Sequence, residues 1–274
     1  MDTQALKGQS ITILPVTHLD ISEIKTLQPL DWPDIGQTFS FYIKNSFCHP
    51  VKLEQHNNLI AIGCLICFEK SAWLAQIIVK ETFRNQGWGS YITKALVEMA
   101  PLQIQCVSLL ATPMGEPVYR KLGFKDQGEY EFYIKEEPIP EIPSPRIIKL
   151  HGSYFDQVLD LDLKVSGENR SALMLQFLDN AWGYVDQNEL LAFYLPDLGE
   201  GLIISKEVES GLELLKYKLN THKRNVVPVQ NTRAIEFLKQ HGFEAYRRAT
   251  RIVLGSPFEF QPDQIYSRIG GNLG

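Results

Sequence analysis

No apolar run in the chain approaches the ~20 residues that cross a bilayer, and Met1–Ser10 is polar, without the core of a secretory signal. These absences argue for a cytoplasmic protein with no membrane partner. Basic charge is not in excess: 27 Lys and Arg against 32 Asp and Glu leave a net charge of -5, which excludes broad attraction to nucleic acid and leaves room for a local basic patch. Cysteine is scarce, with 4 in the chain. Cys64 and Cys67 share the strand-like run Leu59–Phe68, where residues three apart point to opposite faces, so they do not chelate one metal. All four read as reduced thiols of a cytosolic protein. His151, His222 and His241 have no ligand spacing, and no metal is expected. There is no Gly-Lys-Ser/Thr for a phosphate loop, and Ile92 stands where a dinucleotide fingerprint needs Gly. What is present, 274 residues with 44% hydrophobic and 22% charged, excludes disorder and suits one large domain or two ordinary ones.

Glu136–Arg146 holds four prolines, Pro138, Pro140, Pro143 and Pro145, which forbid a helix and remove ladder donors from any strand. The segment reads as an extended linker, giving a first domain over 1–137, a linker over 138–146 and a second domain over 147–274. A long surface loop inside one domain is the alternative. Before it, Ile11–Val16 reads as a strand and Asp20–Leu27 as a helix, followed by an irregular stretch with Pro29, Pro33 and Gly36. Val51–Gln55, Leu59–Phe68 and Ala72–Val79 then form a meander, with Gln103–Ala111 and Glu129–Lys135 as later strands. Ser90–Met99 and Glu116–Leu122 read as helices. The second half repeats this order loosely, its helices at Ser153–Leu163, Asn169–Leu178, Val208–Leu219 and Thr232–His241.

The chemistry concentrates in Ile77–Ile92. A strand passes through Lys80-Glu81-Thr82-Phe83-Arg84-Asn85-Gln86-Gly87-Trp88-Gly89-Ser90 into a helix. Successive backbone N–H groups on such a turn form a concave donor site for an anion, with pyrophosphate the favoured reading. Gly87 and Gly89 admit close approach of the main chain, and Arg84 offers a positive fork.

Arg84-x-x-Gly87-x-Gly89, followed by a helix, a strand and Tyr119-x-x-x-Gly123-Phe124, resembles the GNAT superfamily of acyl-CoA-dependent N-acyltransferases over about Ile60–Lys135. The resemblance implies an α/β (α+β) fold of two GNAT-like domains, each a mixed, mostly antiparallel central sheet flanked by helices, the second degenerate. It implies acetyl-CoA as cosubstrate in a slot where Ala72–Val79 and Gln103–Ala111 splay. The amides of Ile77, Ile78 and Val79 would hold the pantetheine arm, and Arg84, Asn85, Gln86, Gly87, Trp88, Gly89 and Ser90 the pyrophosphate. The acceptor implied is a primary amine, on a small molecule or a peptide, attacking the thioester directly. Tyr119 matches the family's general acid, a phenol protonated at neutral pH; the plainer reading is a packed ring with its hydroxyl on a backbone group. Some members carry a Glu on the cofactor strand, whereas Trp73–Val79 has no carboxylate, only Gln76. A base would then come from Glu54, His56 or ordered water, although both residues also read as solvated surface.

The second half has neither the glycine loop nor an Arg before Val208–Leu219, and Leu238 stands where the first has Tyr119. As a second GNAT-like fold it would neither bind CoA nor catalyse, serving instead as a wall of the acceptor cleft or a homodimer contact. Arg247, Arg248 and Arg251 read as a solvated strand face. Two other classes compete: a CoA-binding scaffold without efficient transfer, favoured by the missing base, and an aminoacyl or peptidyl transferase, disfavoured by the glycine loop.

Overall fold

The structure, a computed structural model, describes residues 11–29, 32–140 and 142–273; Met1–Ser10 lies outside them. The fold is mixed α/β, with mostly antiparallel sheets flanked by helices. The chain packs as two units: one takes the described residues up to Lys125 with Ile252–Ser256 and those after Gly270, the other Asp126–Arg251 and Pro257–Gly270.

The first unit opens with β1 (Ile11–Pro15), α1 (Ile21–Ile24) and α2 (Ile35–Lys44), followed by the meander β2 (Cys48–Gln55), β3 (Asn58–Cys67) and β4 (Ser71–Val79). Next come α3 (Trp88–Glu98), β5 (Cys106–Ala111) and α4 (Glu116–Lys121). The strands lie in the order β1-β2-β3-β4-β5, antiparallel except for the parallel pair β4–β5. The run from Leu59 to Ile66 is buried on every residue, because α3 packs on β3 and α2 on its neighbour β2. Trp88, Ile92 and Leu96 recur at helical spacing on the buried face of α3. Burial of Ile92 and Leu96 contributes about 1.5–3 kcal/mol each.

The second unit contains β6 (Lys125–Ile134) from Asp126 on, β7 (Ile147–Lys149), α5 (Phe155–Ser166), α6 (Ser171–Met174), β8 (Trp182–Asp186), β9 (Glu189–Leu195) and β10 (Leu202–Ser205). It continues with α7 (Val208–Leu219), β11 (Arg224–Pro228), α8 (Thr232–Gln240), β12 (Glu244–Gly255) and β13 (Ile265–Ser267). Its strands form the runs β13-β10-β9-β8-β7 and β12-β6-β11, and the last residues of β12, from Ile252, extend the first unit beside β5.

Several expectations change. The stretch around Gly36 is the helix α2: the Asp34 side chain accepts from the Gly36 N–H at 2.8 Å, and Ile35, Phe39 and Tyr42 are buried at helical spacing. The units do not divide at the proline segment. Ile139 is 5% exposed in the second unit's core and donates its N–H to Leu219 O at 2.9 Å, so apolar burial draws that part of the segment inward. Arg251 is buried beneath Phe260, with 4.4 Å from the guanidinium carbon to the ring centre, and is no part of a solvated face. All four cysteines are free thiols.

The second unit also encloses charge. Arg170 binds Asp162 through two hydrogen bonds, Nη2–Oδ1 at 2.5 Å and Nε–Oδ2 at 3.1 Å, with both residues buried. Lys218 is buried too, and its Nζ donates to Glu200 O, Asn225 Oδ1 and Ser267 Oγ at 2.7, 2.8 and 2.6 Å. Burial pulls its pKa down to about 7, yet three oxygen acceptors are the set that an ammonium satisfies.

Candidate functional site

The site grows from an irregularity in β4. Its register with β3 shifts between Ile62 and Cys64, where Gln76 adopts φ +52. This bulge re-aims the end of the strand. Pairing of β4 with β5 covers only Ser71–Trp73 against Cys106–Ser108, so the two strands part beyond Trp73. Because the Lys80 N–H donates to Ile60 O, antiparallel alternation turns Ile78 toward β3 and directs the N–H groups of Ile77 and Val79 into the gap.

At the end of β4 the chain makes a single 3-10 turn, Glu81–Phe83, and reaches α3 through Asn85 at φ +61 and Gly87 at φ +90. Gly87 caps the helix with no side chain, and the N–H groups of Gly87, Trp88, Gly89 and Ser90 find no acceptor among the described residues. These are the orphan donors of a helix start, with the positive end of its dipole behind them. A Cβ built on Gly89 would meet only Val79 Cγ2, at 3.8 Å, so the space before these amides is open. Arg84 is exposed and hydrogen-bonded through Nε to Val79 O at 3.2 Å, with no carboxylate paired to it among the described residues. The Gln86 side chain turns back to Thr82 O at 3.2 Å, and the Trp88 ring is buried in the core; these two offer their main chain.

Buried polar atoms without partners gather on the same elements. Ser71 Oγ and Gln76 Oε1 on β4, Ser108 Oγ on β5 and Trp88 Nε1 on α3 have no hydrogen bond. Each such atom costs about 1–3 kcal/mol; Ser71 and Ser108 lie where the strands pair, whereas Gln76 stands on β4 past the paired residues, at the gap. Gln76 had only one sequence signal, a polar residue inside an apolar strand.

Tyr119 lies on α4, half-buried, its ring 6.0 Å from Phe124 in an edge contact. Its hydroxyl makes no hydrogen bond among the described residues, and burial pushes its pKa up to about 12. The backbone hydrogen bond of the plainer reading is therefore not made. Of the bases considered, Glu54 is held by Lys52 at 2.6 Å, with Asp20 on the same ammonium at 2.7 Å. His56 sits exposed in the β2–β3 turn at φ +50.

The described residues contain no group of three or more side chains able to hold a metal, and no helix long and apolar enough to cross a membrane. Residues 48–126 match the model of the acetyltransferase (GNAT) domain. None of the proteins of curated function matches the chain. Among solved structures, a Pyrococcus horikoshii protein provisionally named an acetyltransferase is similar with TM-score 0.82 and 20% identity, over 97% of this chain and 96% of that one. A GCN5-related N-acetyltransferase of Sphaerobacter thermophilus is similar with TM-score 0.62 and 12% identity, covering 92% and 98%. A tandem GNAT protein of the clavulanic acid biosynthesis pathway is similar with TM-score 0.60 and 11% identity, covering 91% and 100%. The chain thus carries a GNAT acetyltransferase domain over residues 48–126 and has the fold of GNAT proteins.

Proposed function

We propose that the chain is an N-acetyltransferase that moves the acetyl group of acetyl-CoA to a primary amine, with its chemistry in the first unit. The observation that carries this reading is the run of unpaired amides from Gly87 to Ser90 beside the β4–β5 gap. Those amides and Arg84 would hold the pyrophosphate, and the N–H groups of Ile77 and Val79 the pantetheine arm; Ile78, turned to β3, contributes packing. Acetyl-CoA, when bound, supplies the acetyl group and a thiolate leaving group.

Tyr119 serves that leaving sulfur as a hydrogen-bond donor. Its phenol, at about 12, stands roughly 3.5 units above a thiol near ~8.5, so complete proton transfer is uphill by about 5 kcal/mol. Donation to developing charge is worth about 1.5–3 kcal/mol. Tyr119→Phe is therefore expected to lower kcat roughly 10- to 150-fold with the KM for acetyl-CoA nearly unchanged, measured as free-thiol release across an amine panel. Unchanged kcat removes the role.

No carboxylate lies on Trp73–Val79, and the amine loses its proton to solvent before it attacks. The rate at low amine concentration should rise about tenfold per pH unit between about 6 and 9 for an amine of pKa near ~10. The active phenol is the protonated form, lost only as pH rises through about 12. No falling limb belongs below pH ~11; one near neutrality assigns the acid to another group.

The missing strand carboxylate and the engagement of Glu54 by Lys52 favour a second reading, a CoA-binding regulatory or scaffold protein without efficient transfer. The thiol-release panel separates the two: binding without turnover on any amine selects the scaffold.

A further inference from the structure

The chain runs twice through one succession, first over β2 to β6 and then over β8 to β12: three antiparallel strands, a helix, a strand, a helix and a final strand. In the first, the strands flanking the long helix, β4 and β5, part and leave a gap. Their counterparts in the second are β10 and β11, which do not pair with each other; the edge of β10 is taken by β13, antiparallel, with Ile203 opposite Ser267 and Ile204 opposite Ile265.

The other side of β13 is held from β11 and the loop after it. Asn225 Nδ2 donates to Tyr266 O at 2.9 Å, the Arg268 N–H donates to Val226 O at 3.2 Å, and Asn231 Nδ2 donates to Ile265 O at 3.0 Å. The segment therefore runs between the two strands. Tyr266 is 2% exposed and lies against α7, where a Cβ on Gly211 would come within 2.3 Å of its ring; the glycine is the notch that seats it. Ser267 is tied to the buried Lys218.

The helix start that would face a pyrophosphate is also altered. Ser205 Oγ accepts from the Glu207 N–H at 3.2 Å, and Glu207 and Glu209 put carboxylates where the first unit has glycines. An anion meets like charge there and fewer unpaired donors.

We propose that residues 264–268 are a built-in strand ligand of the second unit, seated where the first unit leaves its gap open, so that the second unit takes no acyl carrier and the chain binds one acetyl-CoA. An extended peptide fits because the main chain of β10 pairs with one side of it as a sheet does, while two asparagine side chains and the Val226 carbonyl hold the other. The count of one rests on the function proposed above; the seating does not.

Two measurements on the full chain test this. Without any ligand, amide hydrogen exchange at 202–205 and 265–267 should be as slow as in the doubly paired strand β9; fast exchange at 265–267 in an otherwise protected unit overturns the proposal. Acetyl-CoA titration followed by native mass spectrometry should then reach one per chain. Two per chain, or binding that survives Gly89→Glu, overturns it. No binding together with slow exchange sinks the proposed function and leaves the seating standing. Tyr266→Ala, which empties the notch, should speed exchange across 202–205 and 225–228 about tenfold or more, whereas Tyr266→Phe should not. If the alanine variant does not fold, exchange in the unaltered chain decides.

Discussion

Gly89→Glu is expected to abolish acetyl-CoA binding while leaving the melting temperature unchanged or slightly raised. Gly89 does not need a positive φ, and its Cβ would touch only Val79 Cγ2 at 3.8 Å. A carboxylate in the first turn of α3 gains about 0.3–1 kcal/mol from the helix dipole. In the complex, that carboxylate competes for the amides that would hold the pyrophosphate and repels its charge. Losing two or three charge-assisted bonds of about 1.5–3 kcal/mol each weakens affinity by roughly a hundredfold or more. Gly89→Ala, adding only a methyl group in open space, should bind within a few-fold of the original. Gly87 is a poorer probe, because at φ +90 any side chain adds about 1–2 kcal/mol of backbone cost to the loss of the ligand. Calorimetry with thermal melts checks both halves, and unchanged affinity in Gly89→Glu removes the loop from the site.

Arg170→Met is expected to destabilise the protein by about 3–5 kcal/mol, two to nearly four orders of magnitude in the folding equilibrium. Asp162 would be left buried without the guanidinium that holds both of its oxygens, and with Glu168 nearby raising its pKa further. Burial already pushes the Asp162 carboxyl above its usual range, and Arg170 is what opposes the shift. Without Arg170 the folded state holds a proton that the unfolded state, near ~3.9, has released. Stability then falls as pH rises through the raised folded value, so the deficit should be larger at pH 8 than at pH 5. Asp162→Asn added to Arg170→Met should recover part of the loss. Denaturant titrations at the two pH values read both effects, and a pH-independent deficit in the single variant contradicts them.

The fold was legible where apolar periodicity is local. The run through β3 and β4 and the Ile92–Leu96 spacing of α3 needed no tertiary information. Helix α2 was also written in the sequence, as Asp34 before Ile35, Phe39 and Tyr42, but Pro33 and Gly36 hid it: one precedes the cap, and the other lies inside the first turn, where it is tolerated. The bulge at Gln76 could not be read, since a non-glycine residue at φ +52 is imposed by the register of β3 against β4. Nor could β13, three residues whose extended form depends on the edge of β10 and the side chain of Asn225. The placement of Ile139 in a core depended likewise on partners distant in sequence. For the candidate site, Arg84, Gly87 and Gly89 were visible as a pattern, whereas the unbonded state of the Tyr119 hydroxyl and the inward turn of the Trp88 ring emerge only from packing.

The most direct test is amide hydrogen exchange on the full chain with and without acetyl-CoA. Slowed exchange at 77, 79 and 87–90, with 78 already slow in the free protein and 202–211 unaffected, is the predicted result. Tight binding of acetyl-CoA with those amides unprotected would contradict it.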